Sequence, residues 1–294
     1  MSDTAASLRR KIASAGELES VVRTMKAMAA SSIGQYESAV RSLDDYYRTV
    51  QLGLVACFRQ ADLPVASTRA EQKETGATGA VVFGSDQGLV GQFNVVMVEF
   101  VVNTLGNLPG KKTVWAVGER IQSRLADTDL LAGERFILPN SISAITPLVG
   151  QILIEMETQR EKGEIAQVYL FHNRPQSGAI YAPVCQRLLP LDAVWRRDLA
   201  SLRWPTGHLP EVMNGGERTL PALVREYLFV SLFRACAESL ASENASRLAA
   251  MQRAEKNIDE LLEDLNRTFH RLRQSGIDEE LFDVVSGFEA LTGP

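Results

Sequence analysis

PALVREYLFVSLFRACAESLASENASRLAAMQRAEKNIDELLEDLNRTFHRLRQ, residues 221–274, is the stretch on which the fold turns. Pro221 suits a first helical turn, and no further proline appears before Pro294. Apolar or small residues recur about every 3.5 positions from Tyr227, Val230, Phe233 and Ala237 through Ala241, Leu248 and Met251 to Ile258, Leu262, Leu265, Phe269 and Leu272. That is the period of paired helices rather than of one straight helix. Past Gly276 the seam resumes one residue out of phase as Ile277, Leu281, Val284, Phe288 and Leu291. A helix over 222–294 would run roughly 100 Å. A compact domain of this chain length spans only about 40 Å, so the helix is expected to project.

The other terminus answers it. From Leu8 through Ala15, Leu18, Met25, Ile33, Tyr36, Val40, Tyr47 and Leu54 the same period of about 3.5 recurs, with no proline before Pro64 and with Ser2, Asp3 or Thr4 as N-cap. This predicts an N-terminal helix over 1–60, paired antiparallel with the C-terminal one. Residues 61–79 read as a linker, being small, polar and rich in breakers. Three β-rich runs follow, Ala80 to Phe83, Thr113 to Val117 and Gln167 to Phe171. Helical patterning separates them at Val95 to Leu105, Glu119 to Leu125 and Thr146 to Glu161. Alternation of this kind predicts a small, mostly parallel, Rossmann-like α/β domain over 80–205. Ala179 to Leu191 offers a further strand, and 206–221 a second linker.

Composition narrows the function. Of 294 residues, 45% are hydrophobic and 23% charged, the mix of an ordinary globular chain. A net charge of -5 provides no general field for nucleic acid or an anionic bilayer, so a nucleic-acid partner is not expected. Cys57, Cys185 and Cys236 are odd in number and far apart, which suits a reducing compartment. Neither a signal peptide nor an apolar run of about 18 residues is found, so the protein is expected to be soluble or peripheral to a membrane.

The most site-like segment is Gly84-Ser85-Asp86-Gln87-Gly88-Leu89-Val90-Gly91-Gln92-Phe93-Asn94, directly after a predicted strand. Strand-to-helix turns rich in glycine are where phosphates bind. The spacing here matches neither the dinucleotide fingerprint nor a P-loop, so a structural turn built on Gly84, Ser85, Asp86, Gly88, Gly91 and Asn94 is expected, with a small nucleotide-binding enzyme as the alternative. Gly110-Lys111-Lys112-Thr113 lacks the hydroxyl a P-loop needs for magnesium and reads as a turn. His172, His208 and His270 share no metal-ligand spacing. No catalytic constellation, metal site or cofactor is expected. The emphasis is mechanical: by length alone the C-terminal helix outlasts its partner, leaving Ile277, Leu281, Val284, Phe288 and Leu291 as an apolar stripe that implies a surrounding partner. A self-associating coiled-coil scaffold is the remaining alternative.

Several ordered segments resemble the gamma subunit of F-type ATP synthases, the central rotor shaft. These are Leu8 to Ser14 with Arg23-Thr24-Met25-Lys26-Ala27-Met28-Ala29-Ala30-Ser31, then Gly84 to Gly91 with Asn94, then Leu240 to Met251, and finally Arg273-Gln274 with Ile277 to Gly287. The resemblance implies paired helices inside a hexamer of alpha and beta subunits, one copy per complex, with the tip in an apolar bearing. It also implies an α/β domain touching epsilon and the membrane ring of c subunits. Rotation would couple ion flow to ATP synthesis, and the chain itself would be non-catalytic. The expected location is the cytoplasmic face of the bacterial inner membrane.

The same resemblance implies contacts with beta subunits through Arg23, Met25, Arg247, Gln274, Asp278 and Glu280. A guanidinium such as that of Arg23 would give a charge-assisted contact that breaks and reforms during rotation. Ser32, Ile33, Gly34 and Gln35 stand where the family usually has lysine, methionine, arginine and lysine, which weakens the basic coupling surface. Asp278 replaces a usual threonine, Phe288 a usual alanine and Gln87 a usual basic residue. Such departures suit a divergent, alternative F-type ATPase.

Overall fold

A computed structural model describes residues 4–60, 77–191, 193–208, 210–213 and 215–291. The linker expected at 61–79 therefore falls mostly outside the described residues, and its last two positions are strand. The elements are α1 (Ala5–Gln60), β1 (Thr78–Phe83), α2 (Phe93–Gly106), β2 (Lys112–Val117), α3 (Glu119–Leu125), β3 (Leu131–Phe136), α4 (Ile145–Glu161), β4 (Gln167–Gln176), β5 (Ala179–Leu189), α5 (Ala193–Ala200) and α6 (Gly216–Leu291). The expected class holds: two long terminal helices enclose a mixed α/β segment. None of the described helices is long and apolar enough to cross a membrane.

The chain divides into two compact units, one of α1 up to Ala29 with α6 from Leu248, the other of Ala30–Arg247. In the first, Thr4 caps α1, its Oγ1 accepting from the Ser7 N–H at 3.2 Å. Pairing there is antiparallel: the Arg9 guanidinium sits 5.3 Å from the Phe269 ring centre, and further along α1 Lys26 Nζ meets Glu255 at 2.5 Å. Leu8, Ala15, Ala29 and Met251 are buried on the seam, whereas Leu18, expected there, stays 59% exposed opposite Leu261 at 50%. Ser7, Arg10, Ser14 and Leu265 line a groove with those two leucines, so the helices separate locally instead of interlocking.

In the second unit the sheet order is β3-β2-β1-β4-β5, parallel except for the β5 edge. β1 is central and buried throughout, as the centre of a parallel sheet requires. Its residues alternate between two cores with the period of a strand. Ala80 and Val82 pack with Met97, Val101 and Leu105 of α2 and with Ile121 and Leu125 of α3. Val81 and Phe83 face the other way, into a core shared by α4, the last turns of α1 (Val50, Leu54, Val55) and the first half of α6 (Leu228, Leu232, Leu240). The order α2/α3, sheet, then α4 with the long helices follows from this alternation.

Three elements depart from the sequence reading. β3 was not foreseen, because Gly133, Glu134 and Arg135 interrupt its apolar pattern. Its glycine has a packing reason: a Cβ on Gly133 would lie 2.8 Å from the Trp115 ring, and one on Gly79, on the opposite neighbouring strand, 2.7 Å from it. The short α5 was also unforeseen. α6 begins at Gly216, not at 222, so Pro221 lies inside it. As the sixth residue of α6, Pro221 lies just past the four N–H groups that have no intrahelical partner, so it removes one helical bond, to the 217 carbonyl.

Trp115 is 1% exposed between these two glycines. Gly79→Ala should therefore destabilise the α/β unit by about 2–3 kcal/mol through overpacking. Thermal denaturation followed by circular dichroism measures it, and an unchanged melting temperature would show that the ring has room to move.

Candidate functional site

The turn after β1 is braced from within. Asn94 accepts from the Ser85 N–H at 3.0 Å and donates to Ser85 Oγ at 2.8 Å, while Ser85 Oγ donates to the Gln87 carbonyl at 2.9 Å. Asp86 Oδ1 caps α3 from a distance, accepting from the Glu119 N–H at 2.8 Å, and the Ser85 carbonyl takes the Arg120 N–H at 2.9 Å. Gly84 abuts Ile121, whose Cβ leaves no room for a side chain to start. Gly91 has φ 56°, a conformation that favours glycine, and Leu89 shares it at φ 61°. Gly88 has open space around it, and nothing in the structure explains it. The expected turn residues other than Gly88 are thus brought together, and their polar groups engage one another and α3.

This turn lies at the carboxyl ends of the strands. The chain leaves β1 toward β2 on one side, while β4 lies on the other, which creates the switch point where open α/β sheets hold ligands. α6 occupies that place. Ser246 Oγ donates to the Val90 carbonyl at 2.6 Å, and Ser242 Oγ to the Asn173 carbonyl at 3.1 Å. Asn173 Nδ2 reaches the Phe93 carbonyl at 3.3 Å, tying β4 to the start of α2.

One turn earlier on α6, Glu238 gathers three donors. His172 Nε2 lies 2.7 Å from Oε2, Arg174 Nε donates to Oε2 at 2.8 Å, and Arg234 Nε donates to Oε1 at 2.8 Å. Arg234 continues to Asp44 of α1 at 3.1 Å and lies 5.8 Å from the Tyr47 ring centre. Burial alone would raise the Glu238 carboxyl, but the bonds from His172, Arg234 and Arg174 outweigh it and hold the pKa at about 2. Burial pushes the His172 imidazole below its usual range, against the pull of Glu238.

Glu243 behaves in the opposite way. Burial raises its carboxyl to about 7 although Arg247 Nη2 lies 2.5 Å away, and Asp86 adds to the rise. The difference is in the donors: Oε2 of Glu243 has none, whereas Glu238 has three.

The residues expected to contact partners are distributed along the two helices. Arg23 remains 62% exposed while pairing with Glu19 and, at 3.5 Å, with Glu255. Met25 is half-buried, and Gln274, Asp278 and Glu280 are exposed. Arg247 is only 13% exposed, held by Glu243 and by Asn244 at 3.2 Å. At the far end of α6, which passes unbroken through Gly276, Ile277, Leu281 and Val284 are 52%, 61% and 69% exposed on one face, and Phe288 is exposed beyond them. Phe282 and Val285 widen the patch. The Leu291 side chain lies outside the described residues.

Arg174, Arg234, Glu238, Ser242 and Ser246 were not singled out from sequence, and His172 was weighed only as a metal ligand. A polar stripe at 238, 242 and 246 is visible at helical spacing, yet it runs beside the apolar seam at 237, 241 and 248, and the seam drew the reading.

A family model described as ATP synthase matches residues 4–291. The ATP synthase gamma chain of Polynucleobacter asymbioticus is 26% identical over 289 residues, spanning 97% of this chain and 98% of its own length. That of Pasteurella multocida gives the same figures. Among solved structures, the Euglena gracilis mitochondrial ATP synthase OSCP/F1/c-ring in rotational state 3 contains a chain similar at TM-score 0.67 and 17% identity, covering 98% of this chain and 94% of that one. A chain of the Euglena gracilis rotor in state 1 aligns at TM-score 0.61 and 16% identity, over 93% and 98%.

The low pKa of Glu238 has a sign. A carboxyl lowered on folding adds stability that is complete above pH 4.5 and is lost as pH falls from 4.5 toward 2. Glu238→Gln should flatten that part of the stability curve and cost about 3 kcal/mol at pH 7, since it takes the charge from a buried acceptor shared by His172, Arg174 and Arg234. Chemical denaturation across pH 2–7 tests both, and parallel curves for variant and wild type would refute the assignment.

Proposed function

Because this chain belongs to the gamma-subunit family of ATP synthases, we propose that it is the central rotor shaft of an F-type enzyme. It turns inside a hexamer of alpha and beta subunits and couples ion flow through a membrane ring to ATP synthesis, or ATP hydrolysis to ion pumping. The observation that carries this beyond family membership is the apolar face of α6 at Ile277, Leu281 and Val284. It is exposed over two turns where a self-sufficient helix would bury or avoid such residues. A collar of partner residues is the environment such a face requires.

In this reading Arg23, Met25, Gln274, Asp278 and Glu280 meet beta-subunit loops, with Arg247 reaching them only by the edge that Glu243 leaves open. Residues 80–205 form the domain that meets epsilon and the c ring, and attachment to the cytoplasmic face of the bacterial inner membrane is peripheral, through those partners. The chain is non-catalytic and serves to move the catalytic sites of others. The nucleotide-binding alternative is disfavoured by a specific contact: α6 fills the crevice that a nucleotide would need, with Ser242 and Ser246 bonded across it.

Co-expression with alpha and beta subunits should yield one copy of this chain per three of each, and truncation after Gly276 should weaken that assembly or its torque. Calorimetry of the isolated chain with ATP should show no binding heat. Failure to co-purify, or ATP binding by the chain alone, would overturn the proposal.

A further inference from the structure

Glu238, Ser242 and Ser246 stand one turn apart on a single face of α6; Glu238 and Ser242 bond to β4, and Ser246 bonds to the turn after β1. Between Ala235 and Ala241 the residues that α6 presents to the core are small, Leu240 excepted. Small apolar contacts hold a helix close without fixing its rotation, because the hydrophobic effect has no direction. Hydrogen bonds do have direction. A side-chain atom about 5 Å from the helix axis moves about 2 Å when the helix turns by only about 20°, which takes it out of bonding range.

We infer that Glu238, Ser242 and Ser246 form a rotational lock through which torque passes between the α/β domain and α6. They are positioning residues for coupled turnover. The inference rests on the rotor reading above and adds the residues that carry the load. A shaft driven from the sheet domain slips if that domain turns about α6 without carrying it along. Their bonds oppose this slip at three successive turns, from β4 and from the turn after β1. Glu238 adds charge-assisted bonds to His172 and Arg174 on β4, so the grip there is stronger than that of a neutral hydroxyl. The Val90 and Asn173 carbonyls that accept from the serines also fix the turn after β1 and the end of β4 relative to the helix. The place where related folds bind a ligand thus serves as the seat of the shaft.

The test is the double variant Ser242→Ala with Ser246→Ala in the full membrane complex, in inverted vesicles, and in the detached alpha/beta/gamma hexamer. In the detached hexamer no load acts on the sheet domain, and ATP hydrolysis should stay within about twofold of wild type. In vesicles the ions moved per ATP hydrolysed should fall at least about threefold, since the bonds that hold α6 to Asn173 and Val90 are gone and Glu238 alone still opposes slip. Ser246→Thr alone, which keeps both hydroxyls, should retain most of the wild-type yield. An unchanged ion-to-ATP ratio would overturn the lock. So would an equal loss in both preparations together with a lowered melting temperature, because that is the signature of a merely structural role. Failure of the wild-type chain to assemble with alpha and beta would instead sink the rotor reading itself.

Discussion

One apolar core binds the ends of the chain to its middle. Val81 and Phe83 of the central strand, Ile152 and Met156 of α4, Leu54 and Val55 of α1, and Leu232 and Leu240 of α6 all bury their side chains in it. Remove any of these partners and the others face water, since the opposite side of the sheet is already covered by α2 and α3. This sharing explains why the two long helices lose their narrow coiled-coil seam within the α/β unit. Between Tyr227 and Ala241, α6 buries residues on most of its circumference, because α1 lies against part of it and the sheet against another. Next to Lys26 and Glu255, where only two helices meet, the buried set thins to single residues such as Ala29 and Met251.

Two carboxylates five residues apart on α6 show how far the immediate donors decide the charge state. Glu238 and Glu243 are 4% and 3% exposed, so desolvation opposes ionisation at both. Glu238 nevertheless remains a strong acid, because imidazole and two guanidinium groups converge on it. Glu243 has one guanidinium and an unsatisfied oxygen, and burial wins. Burial by itself therefore says little about the charge of such a group.

Much of the architecture was legible in the sequence, for identifiable reasons. α3 was placed to the residue, and α2 and α4 to within two, because each carries an unbroken helical pattern between turn residues. β1, β2 and β4 stood out as continuous apolar runs, as strands covered on both faces should. β3 was hidden by Gly133, whose purpose lies in the shape of Trp115 on a neighbouring strand. Within the site, the turn from Gly84 to Asn94 announced itself by composition, but its bonding to α6 did not. Ser242 and Ser246 are ordinary helix residues until β4 and the turn after β1, 69 and 156 positions away, are brought beside them.

Lys26 and Glu255 are 229 positions apart in the chain, and Tyr46 and Glu226 are 180 apart. At ribosomal speeds of about 5–20 residues per second, the interval between synthesis of the first pair's members is roughly 10–45 seconds. Throughout that time α1 has been made and its apolar side, including Leu8, Val50 and Leu54, lacks the helix that will cover it. An architecture closed by its two ends thus places the completed core late in biosynthesis. The sheet can form first, but α1 must be kept from other hydrophobic surfaces until α6 has emerged.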